Sequence, residues 1–522
     1  MNEEKSESGQ SQLARLWPVL LAVGVTAYVC LVAYGAGKGV RGDDQYWYLA
    51  DITTLVNGGD AVSNFVFPYT IATEGYTGPG EFVHNILYPY LAAVPGAFFG
   101  AYTGAIVTNL IGQLAAVLII FLIALRLRSD PGLATGIALL YLFFPLNYWY
   151  SVNVYAEASM TALVALLALI ATWQSPGTLR WMLAAVVIGV LMFARDSFLL
   201  LGILLPVAYL IDERSKEHWR WLGAAALFVI IASCNYFWEH QFPNNVGCGL
   251  IERLNVDIPG KTGTMYCAMR MPGEPLMLTG WIDKVFGNLF RQVSVLDMQG
   301  ILFYWPVNLL GVLALVTYAR SDDRRVRNLG LLFIGLTLVH LGTIAISQNQ
   351  FRYLVILIPV AFILLSIWSS DHFPSRIRRY RPALAAVGLT VCVGLDVLLA
   401  GRIRAEATAS AREIGLLREF VAVSIPADAR VVVESGAVSR SQVIKDALKL
   451  GYVLSPRPTL LVPDNRYDDA VYRMLIEKFA PQVLIMLRDE DLQGTLEFAV
   501  EAEVKALPGD FGAYSLYRAK LP

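Results

Sequence analysis

The segment LWPVLLAVGVTAYVCLVAYGAG, residues 16–37, carries no charged side chain and is followed directly by KGVRGDDQYWYLAD, residues 38–51. Its 22 residues are enough for a helix to cross a bilayer core of about 30 Å. The run is too long for the apolar part of a signal peptide and has no small-residue cleavage site after it. The sequence therefore predicts a retained first span, preceded by a polar cytoplasmic tail at residues 1–15.

The composition of the whole chain agrees with this beginning. The protein has 522 residues, of which 56% are hydrophobic and only 16% charged, and its mean hydropathy is +0.53. Soluble proteins carry about a quarter charged residues. The net charge of −1 leaves no electrostatic footprint for nucleic acid. These values predict a polytopic α-helical membrane protein.

Further apolar segments recur along the chain and predict about eleven transmembrane helices. They lie at residues 16–34, 102–125, 133–146, 154–173, 181–194, 197–211, 221–238, 300–319, 329–347, 353–370 and 383–400. The two segments beside Arg195-Asp196 are short and form a tight hairpin if they are separate helices, so ten and twelve spans stay as alternatives. The predicted transmembrane catalytic domain is residues 16–400, with outward loops at 38–101 and 239–299.

Basic residues in the short loops predict the orientation, because cytoplasmic loops are enriched in Lys and Arg. Alternate loops contain fourteen of them, namely Arg126, Arg128, Arg180, Arg214, Lys216, Arg220, Arg320, Arg324, Arg325, Arg327, Arg376, Arg378, Arg379 and Arg381. The short loops on the other side contain only Arg195 and Arg352. We expect a multi-pass protein of the plasma (inner) membrane, with a cytoplasmic N-terminus and an extracytoplasmic C-terminus.

The tail at residues 402–522 alternates helical and strand patterns. A helical segment at 406–423 precedes strands at 430–434, 482–487 and 511–518, with helices at 441–450 and 468–479 between them. This alternation predicts a small extracytoplasmic α/β domain with a partly parallel sheet. No glycine-rich phosphate loop follows its strands, so nucleotide binding is not predicted.

Two of the five cysteines, Cys248 and Cys267, fall in the second outward loop. A disulfide between them would suit an oxidising compartment and would clamp a segment rich in Pro and Gly. Two unrelated free thiols are the alternative. We predict the Cys248–Cys267 disulfide.

Polar side chains that could perform chemistry collect on the outward face under this topology. The Asp43-Asp44 pair follows the first span, and Tyr46 and Tyr48 follow on a segment whose Leu49, Ile52 and Leu55 could lie on the membrane surface. The other members are Glu74, His84, Glu157, Arg195, Gln350, Arg352 and Tyr353. Each has an ordinary alternative: arginines snorkel to head groups, Glu157 favours a helix start, and a lone histidine is more often structural. Carboxylates and arginines together describe a site for a phosphate-bearing lipid and a polar acceptor.

An ordered set of motifs resembles the GT-C class of integral-membrane glycosyltransferases, and in particular the dolichyl-phosphate-mannose–protein mannosyltransferases and the aminoarabinose transferases. The set comprises Asp43-Asp44 in the first outward loop, His84-Asn-Ile-Leu-Tyr-Pro89 before the second span, Glu157 after Phe144-Pro145, Arg195 after an apolar span, and Arg352-Tyr353 followed by Pro359. The resemblance covers residues 16–400. Asp196 and Gln350 depart from it, because many relatives have Pro at the first position and an acidic residue or His at the second.

The resemblance implies transfer of a monosaccharide from a polyprenyl-phosphate donor to an acceptor hydroxyl on the extracytoplasmic face. A cell-envelope glycan or glycolipid is favoured over protein as the acceptor. Asp43 is the candidate general base, with Asp44 as its partner, and Arg352, Arg195 and Tyr353 are the candidate binders of the donor phosphate. Glu74, His84, Glu157 and Gln350 would complete the pocket. Asp43, Asp44, Glu157 and His84 could bind Mg²⁺ or Mn²⁺, whereas a single Asp acting alone needs no metal.

Two other functions compete with this hypothesis. A transporter or flippase of a lipid-linked sugar would also need a lipid groove, but transporters commonly show repeated halves and charges at the bilayer centre. A scaffold of envelope assembly would need far fewer spans. We therefore rank the transferase first.

The predicted orientation is tested with a reporter that is active only outside the cytoplasm. Fused after Pro522, the reporter should be active, since alternate loops carry the basic residues and the predicted span count is odd. A fusion after Arg41 is the positive control. An inactive fusion at Pro522 beside an active control would show that the span count is wrong.

Overall fold

The structure is a computed structural model of the protein. It describes residues 2–37, 39–40, 43–58, 64–76, 86–127, 130–173, 178–212, 219–241, 282–283, 285–287, 309, 321–346, 351–372, 380–434, 441–462, 467–487, 496–511 and 513–520. All structural statements below concern these residues.

The described chain is mainly helical. Its α-helices are α1 Asn2–Ala36, α2 Asp43–Val56, α3 Pro68–Glu74, α4 Leu87–Phe99, α5 Ala101–Arg126, α6 Pro131–Leu142, α7 Pro145–Ser151, α8 Ala156–Ala171, α9 Thr178–Met192, α10 Leu199–Asp212, α11 Trp219–Gln241, α12 Arg324–Ile346, α13 Ile358–His372, α14 Arg381–Ser424, α15 Ser441–Leu454 and α16 Asp469–Phe479. Its strands are β1 Phe65–Val66, β2 Val431–Glu434, β3 Thr459–Val462, β4 Val483–Leu487, β5 Val500–Ala506 and β6 Tyr514–Ala519. Short 3₁₀ turns follow α9 and precede α13.

Several of these helices are apolar enough to cross a bilayer. Among the described residues, four are also long enough by themselves, at Leu16–Ala36, Ala101–Arg126, Arg324–Thr343 and Ala383–Ser424, and the bent pair α6–α7 makes a fifth. Shorter apolar helices are α4, α8, α9, α10, α11 and α13. Every predicted span except 300–319, which lies outside the described residues apart from Leu309, falls on one of these helices. The protein is thus an α-helical membrane protein, and the count of eleven spans stays a prediction.

The bend between α6 and α7 has a local cause. Pro145 has no N–H for the helix and pushes the preceding residue out of helical geometry, so Phe144 is extended and the two helices meet at 53°. The Asn147 side-chain amide donates to the carbonyl of Tyr141 at 2.7 Å, which satisfies a carbonyl near the break. The short helix α7 then leads into α8, whose first turn contains Glu157.

The prediction that α2 lies on the membrane surface is wrong. Leu49 and Ile52 are fully buried inside the protein, and Trp47 is 1% exposed. Trp47 packs on the rings of Phe65 and Phe67, with centroids 4.4 and 5.4 Å away. Helix α2 carries apolar or aromatic side chains around most of its circumference. A helix of this kind is buried inside the protein rather than placed on a surface.

Five strands of the tail and one strand of the first loop form a six-stranded sheet with strand order β1-β3-β2-β4-β6-β5. Strands β1, β3, β2 and β4 are parallel, and β6 and β5 pair antiparallel. Strands β2, β4 and β6 fall on the segments with strand patterns, whereas β3 and β5 were not predicted. Strand β1 comes from the first loop, where the Asn64 side chain donates to the carbonyls of Gly451 and Arg457 at 2.8 and 3.1 Å. The first loop and the tail therefore share one sheet.

A single 44-residue helix, α14, connects the last span to this sheet. The sequence predicts two helical segments separated near Gly401, but one interior glycine costs only about 1 kcal/mol and the helix continues through it. At 1.5 Å per residue its length is about 66 Å. The chain after α1 lies directly against it, because a Cβ at Gly39 would stand 2.0 Å from the carbonyl oxygen of Ala407. The first loop is thus fixed to α14 four residues before Asp43.

A carboxyl group on α2 has an unusual environment. Asp51 is 0% exposed, and neither of its carboxylate oxygens makes a hydrogen bond within the described part of the chain. Burial raises the pKa of Asp51 well above its ordinary value, because a charged carboxylate is disfavoured away from water. Folding therefore favours the protonated form of this group.

The raised pKa predicts how the stability changes with pH. Below about pH 4, the ordinary pKa of Asp, the Asp51 carboxyl is protonated in both the folded and the unfolded protein. Above that pH the unfolded protein loses this proton first, so the free energy of unfolding decreases as the pH rises. Asp51→Asn removes this loss, so its apparent melting temperature should exceed that of the wild type by more at pH 8 than at pH 5. Scanning fluorimetry of the detergent-solubilised protein measures it, with Asp428→Asn, at an exposed position, as the control. A margin that does not grow with pH would contradict the assignment.

Candidate functional site

The candidate site is built around Glu157 in the first turn of α8. Its side chain is completely buried. Helix α8 begins at Ala156, directly after Tyr155, whose backbone is extended. A carboxylate in the first turn of a helix is stabilised by the helix dipole. That stabilisation is small compared with the cost of removing a charge from water, so a buried Glu157 requires a cation beside it.

Arg195 provides the first cation. It lies in the turn after α9, where its backbone N–H donates to the carbonyl of Leu191 at 2.8 Å. Its Nη2 atom lies 2.5 Å from Oε1 of Glu157. The guanidinium group also lies over the ring of Tyr353, 4.4 Å from the centroid. The tight hairpin considered at Arg195-Asp196 is present: α9 ends at Met192, a 3₁₀ turn spans Asp196–Phe198, and α10 begins at Leu199.

Arg352 provides the second cation. It lies in the 3₁₀ turn Phe351–Leu354, and its Nε atom is 3.6 Å from the same Oε1 of Glu157. Its guanidinium contacts the rings of Tyr353 and Tyr155, 5.2 and 5.8 Å from their centroids. Buried His340 of α12 forms a hydrogen bond with the backbone of Tyr353. This bond ties the 3₁₀ turn to the helix before it.

The charges of this Glu157–arginine cluster do not cancel. Two guanidinium groups and one carboxylate give the three side chains a net charge of +1. Glu157 is fully enclosed, whereas the side chains of Arg195 and Arg352 keep 17% and 11% of their surface exposed. Guanidinium groups bind phosphate through several directed hydrogen bonds. Because only the arginines keep exposed surface, an anion that reached the cluster would meet arginine rather than Glu157.

The N-terminus of α2, where Asp43 and Asp44 lie, is attached to the same region. Gln45 donates from Nε2 to Oδ1 of Asn153 at 3.2 Å and accepts from the backbone N–H of Val154 at 3.0 Å. Asp44 adjoins Gln45 and Glu157 is three residues beyond Val154, so the backbones of the two acids lie within on the order of 20 Å of each other.

Further along α2, Tyr48 packs edge-on against Tyr88, with the ring centroids 5.2 Å apart. Tyr88 lies in the first turn of α4, so this aromatic pair packs α2 against α4.

The other residues predicted for the site are placed only in part. Asp43 and Asp44 form the first turn of α2 and Glu74 ends α3, but their side chains, together with all of His84, Gln350, Cys248 and Cys267, lie outside the described residues. The described cysteines Cys30, Cys234 and Cys392 are free. Within the described ranges, no three His, Cys, Asp or Glu residues are grouped so as to hold a metal ion.

Several residues of this region were not predicted as site residues. Tyr155 contacts Arg352, and Gln45 and Asn153 join α2 to the start of α8. Asn109 is also fully buried and donates to the carbonyl of Asn153 at 2.7 Å. A usable signal was the run of polar and aromatic residues in Asn153-Val-Tyr-Ala-Glu157, between two apolar segments.

Comparison with known proteins gives the class of the fold. No protein-family model and no curated protein sequence matches the chain. The structure is similar to ArnT from Cupriavidus metallidurans in the apo state, at 14% identity and a TM-score of 0.59, over 97% of this chain and 98% of that one. It is also similar to the same protein bound to undecaprenyl phosphate, at 13% identity and a TM-score of 0.53, over 96% and 97% of the two chains.

A third similar structure is the oligosaccharyltransferase of Archaeoglobus fulgidus in the apo form. It is 12% identical with a TM-score of 0.52, over 90% of this chain and 69% of that one. These proteins are GT-C glycosyltransferases. The resemblance to the GT-C class is therefore confirmed, and the similarity shows that this chain has the GT-C fold over nearly its whole length.

The shared contact of Glu157 predicts strong coupling between the cluster residues. Glu157→Gln and Arg195→Gln each leave a mostly buried charge with less compensation, and each should destabilise the protein. The double variant should lose less stability than the sum of the two, by roughly 1–3 kcal/mol. Denaturation of the four proteins in detergent, with the exposed pair Arg402 and Glu406 changed in the same way as the control, measures the coupling. Additive losses at Glu157 and Arg195 would contradict the pairing.

Proposed function

We propose that the protein transfers a monosaccharide from a polyprenyl-phosphate donor to an acceptor hydroxyl of a cell-envelope glycan or glycolipid. The observation that carries the proposal is the Glu157–arginine cluster, in which two arginines with partly exposed side chains share one buried carboxylate. We place the reaction on the extracytoplasmic face of the plasma membrane, since the basic loops favour a cytoplasmic N-terminus.

The arginines would act on the leaving group. When the bond between the sugar and the phosphate breaks, negative charge develops on the phosphate of the lipid carrier. Arg195 and Arg352, held in fixed positions by Glu157 and by the ring of Tyr353, would stabilise this charge without reorganising. Glu157 itself contacts both cations through one oxygen and is fully buried, so its proposed role is to position the arginines.

The acceptor hydroxyl needs a general base, because its own pKa is far above neutral. We assign this role to Asp43, with Asp44 as its electrostatic partner, since both begin the helix that Gln45 fastens beside Glu157. An inverting transfer needs one base only, unlike glycosidases, which use two carboxyl groups. Glu74, His84 and Gln350 remain proposed members of the pocket.

A divalent metal at this site would have to fit the charges that are already there. Oε1 of Glu157 faces two guanidinium groups, so a metal would not bind that oxygen. Oε2 of Glu157 is buried and has no hydrogen-bond partner among the described residues. Asp43, Asp44, His84 and Oε2 of Glu157 are therefore the ligands that Mg²⁺ or Mn²⁺ would use, and the steps proposed above do not pass through the metal.

The comparisons support the carrier class. One of the similar structures, ArnT, is described with undecaprenyl phosphate bound, a polyprenyl phosphate of the kind that the proposed donor would release. The main alternative, a transporter or flippase, would move the lipid-linked sugar without cleaving it. Release of free polyprenyl phosphate by the purified protein therefore separates the two functions.

The proposed roles predict different defects for different variants. In membranes of cells lacking the protein, the unused polyprenyl-phosphate sugar should accumulate, and lipid mass spectrometry should identify it. With that donor and the purified protein, Asp43→Asn should reduce turnover by roughly 10²–10⁴-fold with little change in donor binding. Arg352→Ala should weaken donor binding and turnover together.

Exposed Arg402→Ala controls for a general loss of positive charge. If Asp44→Asn abolishes turnover while Asp43→Asn does not, the base assignment moves by one residue. Full activity of all three site variants, or uptake of the donor without release of polyprenyl phosphate, would overturn the proposed function.

A further inference from the structure

A second feature of the helical bundle lies away from the Glu157–arginine cluster. A half-open cavity of about 220 Å³ is lined by α8, α9, α10 and α12. Its lining is almost entirely aliphatic and includes Leu167, Ile188, Leu205 and Leu332. One water molecule needs only about 10–15 Å³ of such space, and apolar cavities stay dry. A space this large among transmembrane helices is suited to a hydrocarbon chain from the bilayer.

The polar lining residues of the cavity are at its far end from the cluster. Arg180 and Asn328 line it there. Arg180 lies in the first turn of α9, and Asn328, near the start of α12, donates to the carbonyl of Ala171 at the end of α8 at 3.3 Å. Arg180 is only 5% exposed; it donates to the carbonyl of Trp173 at 3.3 Å and lies 5.0 Å from the ring centroid of Trp181. The cavity thus combines an aliphatic body with one cationic end, which is the chemistry of an anionic amphiphile.

The position of Arg180 distinguishes this end from the candidate site. Arg195 and Glu157 lie at the C-terminal end of α9 and the N-terminal end of α8, whereas Arg180 lies near the opposite ends of the same two helices. The stretch of α9 from Arg180 to Met192 alone spans about 18 Å. A phosphate held by Arg195 and Arg352 therefore cannot also reach Arg180.

We propose that this cavity binds an anionic phospholipid from the leaflet opposite the candidate site. One acyl chain fills the space among the leucines, and the phosphate lies at Arg180 and Asn328. At the same membrane face, Arg324, Arg325 and Arg327 in the first turn of α12 outnumber Asp322 and Asp323, and Asp323 pairs with Arg325. Basic pockets between transmembrane helices are the usual sites for anionic head groups. This site is separate from the proposed donor site and does not depend on the proposed function.

The test uses Trp181, which lines the cavity, as a reporter. The full-length protein is placed in nanodiscs that contain phosphatidylglycerol or phosphatidylcholine with brominated acyl chains, and tryptophan quenching is measured. The chain has eleven tryptophans, so the signal of Trp181 is the difference between the wild type and Trp181→Phe. Half of the maximal quenching of Trp181 should need a roughly five-fold lower mole fraction of brominated phosphatidylglycerol than of brominated phosphatidylcholine. This is the factor in affinity for an anionic lipid that one basic side chain contributes.

Variants show which side chain causes the preference for phosphatidylglycerol over phosphatidylcholine. Arg180→Gln should abolish this preference. Arg126→Gln, which removes an exposed arginine at the end of α5, should leave the preference unchanged. Ala208→Leu narrows the cavity and should reduce quenching by both lipids, and it serves if Arg180→Gln does not fold. Equal quenching by the two lipids, or an unchanged preference in Arg180→Gln, would overturn the proposal. Protection of Trp181 by added undecaprenyl phosphate would also overturn it, because the cavity would then belong to the carrier lipid.

Discussion

The buried charge of Glu157 is the constraint on which the site depends. A carboxylate enclosed among transmembrane helices is costly unless cations lie against it. Here both cations come from distant parts of the chain, Arg195 from the turn after α9 and Arg352 from the 3₁₀ turn after α12. Satisfying Glu157 therefore brings together three segments that no local interaction would join. The result is a pair of arginines held by one buried carboxylate, and of these three side chains only the two arginines keep exposed surface.

The part of the protein formed by the first loop and the tail is organised around α2. Gln45 attaches its N-terminus to the residues before Glu157, and Trp47 packs on the segment that contributes β1 to the sheet. Helix α14, about 66 Å long, lies against the chain just before α2. Tyr46 of α2 packs on Tyr452 of α15, with ring centroids 5.8 Å apart. The tail therefore packs on the helix that begins with Asp43 and Asp44, although its strands are far along the sequence.

Much of the membrane architecture could be predicted from the sequence, because a long apolar run has few alternatives to a transmembrane helix. Glu157, Arg195 and Arg352 could be selected as a set because loop charges placed them on one face. Their shared contact could not be predicted, since it depends on how helices pack.

The burial of α2 was missed for a similar reason. Its tyrosines and leucines suit a membrane surface as well as a protein interior, and only the packing elements decide between them. Strand β1, with two residues, is too short to leave a pattern. The continuity of α14 through Gly401 follows from tertiary support that propensity does not contain.

A cryo-electron microscopy structure of the protein with undecaprenyl phosphate tests the central claim most directly. The account predicts that the phosphate lies within hydrogen-bonding distance of the guanidinium groups of Arg195 and Arg352, with Glu157 still contacting both arginines from the buried side. A phosphate bound elsewhere, with the Glu157–arginine cluster unchanged, would contradict it.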